Sequence, residues 1–95
     1  MVKPVKTKSK DKKTNDSAEI ILTVQKIIAK QLKSEPEKII MTAHLQNDLG
    51  ADSLDALEIL FGLEEAFDIK IPEDDARGIV TVKDAVNYVT KRVSQ

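Results

Sequence analysis

The chain contains no cysteine and no tryptophan, and its aromatic residues are Phe61, Phe67 and Tyr88 alone. Without cysteine there is no disulfide framework, no thiolate metal site and no thiol nucleophile. With so few rings, the interior has to be assembled from Ile, Leu and Val. Histidine occurs once, as His44. A single histidine cannot make a metal cluster, and an acid–base role needs a partner, so His44 reads as structural. No apolar run approaches the roughly 18 residues of a membrane span. No signal-peptide core is visible. At 95 residues, one small domain with a modest core and little room for a deep catalytic cleft is expected.

What is present is charge, unevenly distributed. The net value of −1 conceals six lysines against Asp11 and Asp16 in residues 1–16. Between Asp48 and Asp75 there are ten acids and one base, Lys70. Such an acidic body repels phosphates, which argues against nucleic acid as a partner. Basic protein surfaces are its natural complement. Residues 1–15 offer almost nothing to bury and read as a disordered Lys-rich tail, with residues 16–95 as the folded domain.

Helix periodicity dominates the rest. Asp16 and Glu19 are spaced as a capping box. Ile20, Val24, Ile27 and Ile28 then share one face of a first helix, which fades near Leu32 ahead of Pro36. A long connection over residues 34–51 follows, with Ile39, Ile40, Leu45 and Leu49 available to pin it down. Gly50 allows a sharp turn. Asp52 or Ser53 opens a second helix that runs to about Phe67. In it, Ile59, Leu63 and Phe67 form the core-facing line, while Leu54, Leu57 and Phe61 lie on a neighbouring flank beside acids, which suits either a partner surface or a wider core. Gly62 in its interior costs about 1 kcal/mol relative to Ala, which suits either a close helix approach or open space beneath it. Pro72 fits the first position of a short third helix over residues 73–77, closed by Gly78. Thr81 and Asp84 are spaced to cap a fourth helix, whose inward positions are Val82, Ala85, Val86, Val89 and Val93, with Lys91 and Arg92 at its end. No strand pattern competes. The expected fold is all-α, a small four-helix bundle of three longer helices plus one short helix, with a long loop between the first two.

Everything converges on Asp48-Leu49-Gly50-Ala51-Asp52-Ser53-Leu54-Asp55. This stretch presents the Ser53 hydroxyl where a loop becomes a helix, with carboxylates on both sides. Self-contained catalysis is excluded by what is missing. A serine hydrolase needs a base, an orienting residue and an oxyanion hole, and the Gly-x-Ser-x-Gly elbow is absent. Calcium-loop spacing is not met either. An exposed serine without a base is better read as the substrate of another enzyme.

That stretch, followed by Glu58, Leu63-Glu64-Glu65-Ala66-Phe67, Ile69 to Ala76 and Thr81 to Val86, resembles the acyl carrier proteins of type II fatty acid synthesis over roughly residues 17–93. The resemblance implies a non-enzymatic protein in which Ser53, flanked by Asp52 and Leu54, carries covalent 4′-phosphopantetheine, installed by a phosphopantetheinyl transferase. It implies that growing acyl chains ride on that arm as thioesters. Asp55, Glu58, Phe61, Glu64 and Glu65 would dock basic patches of fatty acid synthesis enzymes. Leu63, Phe67, Ile71, Ile79 and Ala85 would line an acyl-chain pocket, with Phe61 near its mouth. It further implies a monomer, no bound metal and a cytoplasmic setting, with an organellar matrix or stroma as the variant. The chain departs from the usual pattern at Leu45, Asn47, Phe61-Gly62 and Arg77-Gly78. Two alternatives stay open: a specialised carrier for polyketide, lipid A or aminoacyl loading, and an acidic helical adaptor whose Ser53 is unmodified or merely phosphorylated.

Overall fold

The computed structural model describes residues 17–93. The Lys-rich tail of residues 1–15 and the Asp16 cap lie outside them. Four α-helices follow in chain order: α1 (Ser17–Leu32), α2 (Ser53–Phe67), α3 (Glu73–Ala76) and α4 (Val82–Val93). The all-α expectation is borne out. Among the described residues the only extended pairing is one antiparallel bridge between His44 and Thr81.

The helices form where periodicity places an apolar stripe. On α1, Ile20, Val24 and Ile28 are fully buried; on α2, Ile59 and Leu63; on α4, Val82, Ala85 and Val89. These side chains make one aliphatic core, with Phe67 as the ring packed against it. Val93 is half-buried at the margin of that core. α1 and α2 approach closely at Gly62, where an added β-carbon would stand 2.9 Å from Ile27 Cγ2. The interior glycine therefore gives up helix propensity so that the Ile27 side chain of α1 can pack directly on the α2 backbone.

Three local expectations need correction. The 34–51 connection is more ordered than its sequence implies. It holds a 3-10 turn at Pro36–Lys38 and is stitched to the start of α4, with Leu45 N–H donating to Val80 O at 2.9 Å and Val82 N–H to Ala43 O at 3.0 Å. Ile39 and Leu45 pin it as expected, but Ile40 is 56% exposed and Ala43 is buried instead. One residue of phase in an irregular segment reverses which side chain points inward, and periodicity does not fix that phase. Pro72 precedes α3 as its cap residue rather than occupying its first turn. The α3 helix is also shorter than expected, with no buried residue.

The fourth helix is capped as its sequence implies. Asp84 N–H donates to Thr81 Oγ1 at 3.1 Å, and Asp84 Oδ2 accepts from Thr81 N–H and Val80 N–H, both at 3.0 Å. Those two backbone donors hold the Asp84 carboxyl below the usual aspartate range. A depressed carboxylate contributes stability that is complete above the unfolded-state value and lost as pH falls through the folded one. Thermal melts below about pH 4 are expected to show falling stability in the wild type. Asp84→Ala is expected to lower the melting temperature at neutral pH and to flatten that acid slope. Parallel slopes for the two proteins would reject this account of the cap.

Candidate functional site

The corner before α2 is built by backbone and side-chain caps rather than by burial. His44 organises it. Its N–H donates to Asp48 Oδ2 at 2.8 Å, and its ring Nδ1 accepts from Asn47 N–H at 3.1 Å. Asp48 N–H and Leu49 N–H both reach back to His44 O. The lone histidine is a turn organiser, as its lack of a partner implied. Gly50 then adopts φ +76°, in the left-handed region that favours glycine. Open space surrounds its α-carbon, so backbone conformation is what the glycine supplies here. Ala51 is buried and anchors the loop, with its N–H donating to Leu45 O at 2.9 Å.

Asp52 is the N-cap of α2, and the cap is reciprocal. Asp55 N–H donates to Asp52 Oδ1 at 2.8 Å, and Asp52 N–H donates to Asp55 Oδ2 at 3.2 Å. Gln31 Nε2, at the end of α1, donates to the same Asp55 carboxylate at 3.2 Å. These bonds, that from Gln31 foremost, hold the Asp55 carboxyl below its ordinary value. Ser53 is the first residue of α2 and is exposed. Its position is thus fixed by its neighbours while its hydroxyl is left to solvent. The helix N-terminus at this point carries partial positive charge and favours an attached phosphate.

The remaining candidates fall into three groups. Leu54, Leu57 and Phe61 are 62%, 46% and 53% exposed, so the apolar flank read from the sequence is a real surface stripe on α2. Glu58 and Glu65 are exposed beside it. Asp55 and Glu64 have internal duties. Asp55 belongs to the cap, and Glu64 Oε2 accepts from Ile71 N–H at 2.7 Å, fastening the chain after α2. A carboxylate that restrains a loop was not separable by sequence from one facing a partner, because both look like solvated helix acids.

Of the five pocket candidates, Leu63 and Ala85 are fully buried in the core, and Phe67, Ile71 and Ile79 are packed against it. A recess of about 220 Å³ lies elsewhere, lined by Leu45, Ala56, Ala76, Ile79 and Val80 together with the polar His44, Gln46 and Arg77. Ile79 is the only one of the five that lines it. Phe61 does not sit at its mouth; it lies in a shallow surface groove with Glu58, Glu65, Asp68 and Lys70. Two residues that the sequence reading missed, Ala56 and Ala76, make the space. Their signal was size: an alanine one turn after Ser53 and another ending α3 leave room that a larger side chain would fill.

Among the described residues no group of three or more His, Asp, Glu or Cys side chains is arranged to hold a metal ion, and no described helix is long and apolar enough to cross a membrane. A protein-family model described as "Phosphopantetheine attachment site" matches residues 23–89. The match spans the whole 34–51 loop, all of α2 and α3, and most of α1 and α4.

Proposed function

The chain belongs to the phosphopantetheine attachment-site family, and from that premise we propose that it is an acyl carrier protein of type II fatty acid synthesis, loaded at Ser53. The family is the site of covalent 4′-phosphopantetheine attachment. The observation that carries the assignment to Ser53 is its exposure at the first turn of a helix whose cap is made by Asp52 and Asp55. The residues fit the group. A free hydroxyl is available to attack a phosphoryl donor, and the adjoining helix end stabilises the resulting phosphodiester charge. When bound, the group supplies a terminal thiol on which acyl chains are held as thioesters, a functional group that this cysteine-free chain lacks.

The protein's own residues anchor, present and steer. Asp52 and Asp55 lock the corner so that Ser53 projects from a rigid helix end. Leu54, Leu57 and Phe61 give partner enzymes an apolar stripe, edged by Glu58 and Glu65. Long-range attraction to Lys/Arg patches speeds encounter without making release slow. The concentration of acids between Asp48 and Asp75 favours the fatty acid reading over the specialised carriers, because it suits serial, brief docking to many basic surfaces. The working form is proposed to be a monomer, in the cytoplasm or an organellar equivalent, without catalytic activity of its own.

Intact mass spectrometry after incubation with coenzyme A, Mg²⁺ and a phosphopantetheinyl transferase tests the reading. One added phosphopantetheinyl group per chain is expected, and an unchanged mass would overturn it. Docking is tested separately by the double substitution Glu58→Lys, Glu65→Lys. Turnover of the loaded carrier by a fatty acid synthesis ketosynthase is expected to fall about ten-fold or more at low ionic strength, with the deficit shrinking as salt rises. Equal rates at low salt would remove this face as the docking surface.

A further inference from the structure

The α3 segment forms one wall of the recess that Ala56 lines from α2, one turn after Ser53, yet little in α3 itself explains why it stays in place. It is four residues long and none of them is buried. A helix that short is not stable alone. Its last residue, Ala76, and the following Arg77, Ile79 and Val80 face Ala56 and Leu45 across about 220 Å³. The recess can keep its shape only if α3 is held from outside.

Three ties hold the segment. At its start, Ile71 N–H donates to Glu64 Oε2 at 2.7 Å; at its end, Leu45 N–H donates to Val80 O at 2.9 Å. The third lies between them. The Tyr88 hydroxyl, on α4, donates to Asp75 Oδ2 at 2.7 Å, while Arg92 Nη1 donates to the same hydroxyl at 3.0 Å. The Arg92 guanidinium also lies 5.7 Å from the Tyr88 ring centroid. Arg92 thus occupies a lone pair of the hydroxyl and directs its proton at the carboxylate. A donor chain running from cation to hydroxyl to carboxylate is stronger than a neutral hydrogen bond. Arg77 is not part of it, because from just past α3 it pairs back to Asp74 at 2.9 Å and Glu73 at 3.7 Å.

We infer that Tyr88 is a positioning residue for the carried acyl group: through Asp75 it fixes α3 as the outer wall of the recess, and so sets how well a thioester-bound chain is sheltered there. This rests on the carrier reading above. Tyr88 touches neither Ser53 nor the cargo in this account. Its effect passes through the placement of Ala76 and Ile79.

Two measurements decide the matter. In the unloaded protein, Tyr88→Phe is expected to raise amide hydrogen exchange about ten-fold at Ala76, Arg77, Gly78 and Ile79, whose N–H groups close the α3 turns, while amides of the α1 and α2 interior keep their rates. In the loaded protein, Tyr88→Phe is expected to speed hydroxylamine cleavage of an octanoyl thioester several-fold and to leave an acetyl thioester unchanged, since only the longer chain reaches shelter. Asp75→Ala should reproduce both effects, and the double variant should be no worse than either single one. A uniform rise in exchange across all helices would reduce Tyr88 to ordinary packing and overturn the inference, as would equal cleavage of octanoyl thioesters in wild type and variant. A chain that the transferase cannot load at all, by intact mass, would remove the carrier reading and the proposed shelter with it, a failure distinguishable from an intact tie that protects nothing.

Discussion

Ser53→Ala is expected to abolish covalent loading entirely while leaving the bundle folded. The loss is total because a methyl group offers no nucleophile, and no cysteine exists to substitute. Ser34, the described serine nearest to Ser53 in sequence, lies beyond the end of α1, not at the α2 corner. The fold is retained because Ser53 does not cap the helix. Asp52 does, with Asp55 returning the bond. Alanine has good helix propensity at an exposed first-turn position, so the stability change should stay within about 0.5 kcal/mol. Intact mass and a thermal melt on the same sample check both halves. Retained mass gain in Ser53→Ala would move the attachment to another residue. Loss of loading together with unfolding would mean that the serine supports the corner rather than serving as its handle. Asp52→Ala gives the contrasting outcome: a frayed helix start, a cost of about 1 kcal/mol, and slowed rather than abolished modification.

Much of this was legible in the sequence because the physics was local. Capping residues, a proline before a helix and a three-to-four residue apolar repeat act over distances that the chain itself spells out. They located all four helices and the exposed Ser53. They also set Leu54, Leu57 and Phe61 on a flank beside the Ile59 and Leu63 line, but whether that flank was surface or more core was settled only by its exposure in the structure. What was not legible depended on pairs far apart in sequence. The recess exists because Ala56 and Ala76 are small on facing elements, and no single window contains both. Glu64 looks like any acid on an exposed helix until Ile71 N–H arrives 2.7 Å away. Ile40 was expected to pin the loop, but it is exposed and Ala43 is buried, in a segment paired to the far end of the chain by the bridge from His44 to Thr81. Tyr88, an unremarkable half-buried ring in sequence terms, takes its meaning from Asp75 thirteen residues earlier.

Leu63→Ala should produce the largest loss of stability of any substitution on α2. Leu63 is 0% exposed and lies in the aliphatic core with Ile59 and Val82. Truncating such a leucine costs about 2–5 kcal/mol, from lost burial plus the cavity left behind. A domain of this size has about 4–12 kcal/mol in total. A fall of roughly 12–24 °C in melting temperature is the expected scale for a loss near 3 kcal/mol. The same substitution probes whether Leu63 belongs to the acyl seat, as the family resemblance implied, or only to the core, since the recess lined by Ala56 and Ile79 does not include it. An aliphatic cavity stays dry and accepts an apolar guest. If a long acyl chain reaches past Ile79 into the interior, octanoyl-loaded Leu63→Ala should recover several degrees relative to the acetyl-loaded form, because the chain fills the space that the leucine left. We expect that recovery. Identical melting temperatures for the two loads would confine the chain to the outer recess and leave Leu63 a residue of the core alone.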